Sequence, residues 1–135
     1  MTALLELRNV SKIFGKGKSY TVALDNMTLG VEEDFPHIIT IAGESGSGKT
    51  TTGLLLLGFY TPTMGDVLYN GKALSELSSR EMFDFRKDVQ AVFQDPFAVY
   101  NPFYKVDNLL TIPIKNFGLA KGKKETQDLM EEAMG

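Results

Sequence analysis

An eight-residue run, Gly43-Glu44-Ser45-Gly46-Ser47-Gly48-Lys49-Thr50, satisfies the pattern G-x-x-x-x-G-K-[ST] in full. Each residue type in it answers a requirement of phosphate binding. The glycines let the backbone turn tightly and bring successive N–H groups toward one point. A helix opening at Lys49 adds the positive end of its dipole to the same point. Lys49 reaches the β- and γ-phosphates of a nucleotide as a point charge, and the Thr50 hydroxyl suits a Mg²⁺ ion that bridges them. Glu44, Ser45, Ser47 and Thr51 complete the expected binding set. The dinucleotide pattern G-x-G-x-x-G fails, because after Gly46 and Gly48 it is Thr51 that stands where the third glycine is required. The expected occupant is therefore a mononucleotide.

Such a loop needs a strand to enter it and a helix to leave it. Ile38 to Ala42 is an apolar run of strand length, and Thr51 to Phe59 contains Leu54-Leu55-Leu56-Leu57, which suits a buried helix. Upstream, Ala3 to Val10 alternates as a strand with one buried face. A turn over Gly15 to Ser19 leads to a second strand, Val22 to Val31. The uneven spacing of Leu24, Met27, Leu29 and Val31 predicts a bulge near Asp25-Asn26. These two strands suggest a small β-layer attached to the nucleotide-binding core. Downstream, Asp66 to Tyr69 reads as a short strand closed by Asn70-Gly71, and Ser78-Ser79-Arg80-Glu81 is a capping box opening a helix through Phe85. Val89 to Phe93 has strand length and ends at Gln94-Asp95-Pro96. Asp107 to Phe117 reads as a helix that Pro113 should kink or divide. Lys123 to Met134 is an amphipathic helix with Leu129, Met130, Ala133 and Met134 on one face.

Composition narrows the function classes. The 135 residues are 43% hydrophobic, which suits one packed globular domain. A net charge of -3 supplies no basic field for nucleic acid, and Lys121, Lys123 and Lys124 read as the solvated start of a helix. Without cysteine there is no disulfide, thiolate or zinc–cysteine chemistry, and the single histidine, His37, has no companion ligands. No apolar run approaches the roughly 18 residues needed to cross a bilayer. The start, Met1 to Glu6, lacks a basic region and a cleavage site, so a soluble, cytoplasmic chain is expected.

Taken together the motifs resemble the ATP-binding cassette (ABC) family, and within it the subunits that power oligopeptide or dipeptide importers. Asn9-Val10-Ser11-Lys12-Ile13-Phe14 is similar to the family's first strand, which ends in an aromatic that stacks on adenine. The resemblance gives that role to Phe14, with Tyr20 as the alternative. Gly43 to Thr50 is similar to the Walker A loop. Pro62-Thr63-Met64-Gly65-Asp66-Val67 with Asn70-Gly71-Lys72 resembles the P-T-S-G-E-I…D-G-K segment, with Met64 in place of a small polar residue. Val92-Phe93-Gln94-Asp95-Pro96 with Asn101-Pro102 resembles the peptide-importer Q-loop, with Tyr100 in place of a leucine. The implied cofactors are ATP and Mg²⁺, with Gln94 contacting the metal or the attacking water.

The fold expected over residues 1–135 is thus α/β, a partial P-loop NTPase core with a small antiparallel β-layer, matching the N-terminal part of an ABC nucleotide-binding domain. No L-S-G-G-Q segment and no apolar strand ending in Asp-Glu occurs in the sequence, and no histidine follows the phosphate loop to serve as the family's switch. Lys49 and Thr50 hold phosphate and metal without positioning a nucleophile, so the chain is expected to bind nucleotide better than it cuts. The resemblance implies two partnerships and a location for the complete protein. Permease subunits meet the aromatic loop after Gln94 (Phe97, Tyr100, Phe103, Tyr104), a second ATPase subunit closes over the nucleotide, and the site faces the cytoplasm at the membrane. The chain by itself is expected to self-associate through the unpaired edge of Ile38 to Ala42 and the apolar face of the last helix. Two other readings stay open on the residues: a small P-loop kinase, and a truncated chain that binds nucleotide or anions without catalysis.

Overall fold

In the computed structural model, which describes residues 3–34, 36, 38–95, 103, 105 and 107–135, the strand begun at Leu5 and Leu7 runs well past Val10. It forms β1, Ala3–Lys16, and pairs antiparallel with β2, Ser19–Glu32, so the expected turn shrinks to Gly17-Lys18. The expected bulge is present. Pairing steps from Val10↔Met27 to Lys12↔Leu24, with Asn9 and Asn26 in the left-handed region at φ 50 and 49. The Asn9 amide donates to Thr28 Oγ1 at 3.0 Å, its Nδ2 donates to Asn26 Oδ1 at 3.1 Å, and the Asn26 amide donates to Ser11 Oγ at 2.9 Å. Strict alternation from Leu5 and Leu7 would send Val10 to the opposite face, and a separate shift on β1 at Asn9, between Leu7↔Leu29 and Val10↔Met27, returns it to the core, where it is fully buried.

On the other edge of β1 lies β3, Met64–Tyr69, in register Leu5↔Tyr69 and Leu7↔Val67. Asn70-Gly71, both at positive φ, then turns the chain into β4, Lys72–Ala73, with the twist that a two-residue hairpin requires. The sheet order is β2-β1-β3-β4 and every pair is antiparallel. Two helices cover it, α1 (Lys49–Leu56) and α2 (Ser79–Asp88), the latter one turn longer than expected. Leu55 and Phe85 join Leu5, Leu7, Val10, Leu24, Val67 and Tyr69 in one core. Each such side chain contributes roughly 1.5–3 kcal/mol of burial. Tyr69 also stacks edge-on against Phe85 at 5.3 Å, and its hydroxyl donates to Asp88 Oδ2. That acceptor, with burial second, pushes the phenol up to about 12.

Two expected strands are not strands. Ile38 to Ala42 is irregular, with Ile38 96% exposed, and after α2 the segment from Val89 to Phe93 is likewise irregular, with Val92 fully exposed. Both are continuous apolar runs of the kind that parallel sheets bury on two faces, and such strands need ladder partners to satisfy their backbone. Among the described residues every strand belongs to the antiparallel sheet, so neither run finds one.

The chain divides into two compact units, Met1–Ala91 and Val92–Gly135. The second holds α3, Asp107–Asn116, and α4, Lys123–Met134. Pro113 neither divides α3 nor ends it; the helix stops at Gly118 (φ 61), with Leu119 N–H bonded to Ile114 O at 2.9 Å and Gly118 N–H to Lys115 O at 3.2 Å. On α4, Leu129 and Met130 are half-buried, and Thr111 Oγ1 lies 3.5 Å from Met130 Sδ, while Met134 at the end is exposed. No helix among the described residues is long and apolar enough to cross a membrane. His37 and the loop residues Phe97, Tyr100, Asn101, Pro102 and Tyr104 lie outside the described residues.

The capping box of α2 gives a pH prediction. Ser78 Oγ accepts from the Glu81 amide at 3.3 Å, and the Glu81 carboxylate accepts from the Ser78 amide at 2.8 Å and from Lys72 Nζ at 2.9 Å. The Ser78 backbone N–H, then Lys72, hold the Glu81 carboxyl down at about 2. A depressed carboxyl stabilises the fold above its ordinary value of about 4.3, and that contribution is lost as pH falls through the folded value. Glu81→Gln should flatten the pH dependence of stability between about pH 4.5 and 2 relative to the parent, in denaturant titrations at several pH values. Ser78→Ala should cost about 1 kcal/mol at neutral pH in the same titrations.

Candidate functional site

The phosphate-loop residues converge although the segment before them is not a strand. Ser47 N–H bonds to Glu44 O at 3.1 Å, and Gly48, at φ 90 and ψ 8, is the N-cap of α1. Thr52, buried one turn on, donates its hydroxyl to Gly48 O at 2.8 Å and locks the first turn. Lys49 curls back over the loop, its Nζ 2.5 Å from Gly43 O, 2.6 Å from Glu44 O and 3.3 Å from Ser47 Oγ. Cation, loop and helix start are therefore drawn together at one end of α1. The N-terminus of α1 has no side-chain cap and no acidic residue in its first turn, whereas that of α2 has both. Uncapped N–H groups beside a lysine are the elements from which an anion site is built.

That loop is fixed to the sheet at Gly48. A Cβ at this position would stand 2.5 Å from Ala23 O and 2.9 Å from Leu24 Cδ2, so the backbone rests directly on β2. Leu24 pairs with Lys12, and Phe14, two residues on, returns to the same face of β1. Phe14 pairs with Thr21, placing its ring on the loop side, two residues along β2 from the Gly48 contact. Tyr20, the alternative, pairs with Gly15, so alternation turns it to the opposite face.

The structure adds two residues that sequence reasoning did not single out. Tyr60 meets Phe14 at 70° with centroids 5.3 Å apart, and Lys12 Nζ lies 5.1 Å from the Phe14 centroid and 5.5 Å from that of Tyr60. Tyr60 arrives there because α1 ends in a Schellman turn. Gly58, at φ 71, donates to Leu55 O at 3.0 Å and Phe59 to Leu54 O at 2.9 Å, which reverses the chain just before it. Gly58 after an apolar run was the readable signal for that stop.

The residues present fit a triphosphate with magnesium. Thr50 is exposed at the helix start, and among the described residues there is no cluster of three carboxylates or imidazoles that would cage an ion. Mg²⁺ characteristically takes few protein ligands and completes its shell with phosphate oxygens and water. A cavity of about 300 Å³ lined by Gly58, Tyr60, Asp66, Leu74 and Met82 shares no residue with the loop. Apart from Asp66 it offers little charged chemistry. Gln94 is exposed and belongs to the second unit.

Residues 24–134 match the family model described as ABC transporter. The chain is 37% identical over 133 residues to the oligopeptide transport ATP-binding protein OppF of Streptococcus mutans serotype c, an alignment covering 95% of this chain and 42% of that protein. It is 36% identical over 132 residues to the putative oligopeptide transport ATP-binding protein YkfD of Bacillus subtilis, covering 97% and 40%. The chain thus spans about two fifths of the length of these curated relatives. Its fold matches a dimeric post-hydrolysis structure of the ATP-binding cassette MJ0796 bound to ADP and Pi, with TM-score 0.74 and 26% identity over 94% of this chain and 54% of that one.

Gly48 and Gly46 share a left-handed φ, 90 and 82, yet only Gly48 has neighbours within 4 Å of an added Cβ. Gly46→Ala should cost about 1 kcal/mol from backbone strain alone. Gly48→Ala should cost at least about 2 kcal/mol more, because β2 must move, and chemical denaturation of both variants against the parent measures the difference.

Proposed function

We propose, because the chain belongs to the ABC transporter family, that residues 1–135 are the N-terminal part of a nucleotide-binding domain in the ATP-binding subunit of an oligopeptide importer. The observation that carries this reading is the closure of Gly43–Thr50 around Lys49 at an uncapped helix start. In the proposed complex Lys49 exchanges the Gly43 and Glu44 carbonyls for the β- and γ-phosphates of ATP. The uncapped amides at the start of α1 donate to the same oxygens, and Phe14 stacks on the base. The Thr50 hydroxyl would hold Mg²⁺, which would supply neutralisation of the phosphate charge, and the family resemblance gives Gln94 a contact to the metal or the attacking water.

In the whole protein, ATP binding and hydrolysis drive import of peptides. The subunit sits on the cytoplasmic face of the membrane, contacts permease subunits through the loop after Gln94, and pairs with a second ATPase subunit. The relatives' printed function and the dimeric MJ0796 structure support this reading. No residue identified in these 135 polarises an attacking water, so the chain alone binds nucleotide without turning it over.

Lys49→Ala removes a cation worth about 1.5–3 kcal/mol per charged hydrogen bond. Calorimetry should show ATP and inorganic tripolyphosphate both weakened by roughly 100-fold or more. Equal affinity in variant and parent refutes the site. A phosphate-release assay on the 135-residue chain should find the parent indistinguishable from Lys49→Ala, and Lys49-dependent release would show that the chain supplies its own catalytic group.

A further inference from the structure

Three side chains on the loop side of the sheet form a unit of their own. Lys12 Nζ donates to Thr61 O at 2.7 Å, which holds the ammonium between the Phe14 and Tyr60 rings. The Ile13 amide donates to Thr63 Oγ1 at 3.0 Å and the Thr63 amide to Ser11 O at 2.9 Å, so the segment carrying Tyr60 is stitched to β1 on both sides of Lys12. Phe14 retains 36% of its surface, leaving part of the ring open.

We propose that Tyr60 and Lys12 are positioning residues for nucleotide recognition. Together they hold the Phe14 ring in one orientation, so that its open part is ready for the base of a nucleotide whose phosphates lie on Gly43–Thr50. This rests on the reading of Phe14 and the phosphate loop proposed above. A phenylalanine near a strand end, with no such packing, samples several side-chain rotamers and must be ordered when ligand arrives. Here the ordering is done in advance by one edge-on aromatic contact and one shared cation. Thr21, opposite Phe14, is two residues from Ala23, whose carbonyl touches Gly48, so ring and loop meet the same stretch of β2.

The experiment measures Kd for ATP and for inorganic tripolyphosphate in the full-length protein, by calorimetry, and takes the ratio of the tripolyphosphate Kd to the ATP Kd for Tyr60→Ala, Tyr60→Phe, Lys12→Met and Phe14→Ala. Tyr60→Ala and Lys12→Met should weaken ATP about 3- to 10-fold and leave tripolyphosphate unchanged. Tyr60→Phe, which keeps the ring contact, should restore the parent ratio. Phe14→Ala should lower the ratio at least as far. If Phe14→Ala lowers the ratio and Tyr60→Ala does not, the positioning role is wrong and the stacking reading survives. If Phe14→Ala leaves the ratio unchanged, the stacking reading falls and takes this proposal with it. If Tyr60→Ala weakens both ligands equally, Tyr60 supports the fold of α1 and not the base, and the proposal is overturned.

Discussion

The contact on which the described first unit depends is the approach of Gly48 to the carbonyl of Ala23. It places the start of α1 against β2 at a separation that no side chain permits. From that fixed point the helix lays Thr52 and Leu55 onto the sheet, and the loop that precedes it curls around Lys49. An anion site needs N–H groups held still before the ligand arrives, because donors that must reorganise lose much of their electrostatic value. Here the rigidity comes from an antiparallel sheet, through one backbone contact.

Charge distribution at the helix starts follows the same logic. α2 ends its unpaired N–H groups internally, with Ser78 and Glu81, and Lys72 reinforces the carboxylate. The first turn of α4 is tied down by Glu125, which accepts from the Lys121 amide at 2.9 Å. α1 carries neither device, and its nearest charge is the cation of Lys49. A helix stabilised for its own sake would carry an acceptor at that end. The omission leaves that end open to an external acceptor.

The bulge shows how local polar chemistry serves distant packing. Asn9 and Asn26 adopt left-handed backbone, joined by a side-chain bond, and the register shift at Asn9 returns Val10 to the core. Past the shift, Lys12 and Phe14 share the loop face with Leu24. The bulge thereby decides which face of β1 carries the aromatic beside the phosphate loop.

Much of this was legible in the residues. The phosphate-loop pattern, the bulge at Asp25-Asn26, the Asn70-Gly71 turn and the Ser78–Glu81 box each rest on local backbone chemistry, which acts over a few residues and needs no distant partner. The lengths of β1 and β2 were underestimated, because polar residues such as Lys12 and Lys16 extend the ladder through backbone bonds to which alternation is blind. Ile38 to Ala42 and Val89 to Phe93 have strand composition but no strand structure, since a ladder is a property of two segments and neither run has a described partner. Tyr60 was invisible for a related reason: it meets Phe14 only after α1 has turned back at Gly58. Sequence by itself determined the candidate phosphate loop, because its glycines, lysine and threonine are contiguous. Only the tertiary structure decided that Tyr60 packs against Phe14, because that contact joins residues nearly fifty positions apart, and its geometry follows from packing rather than spacing.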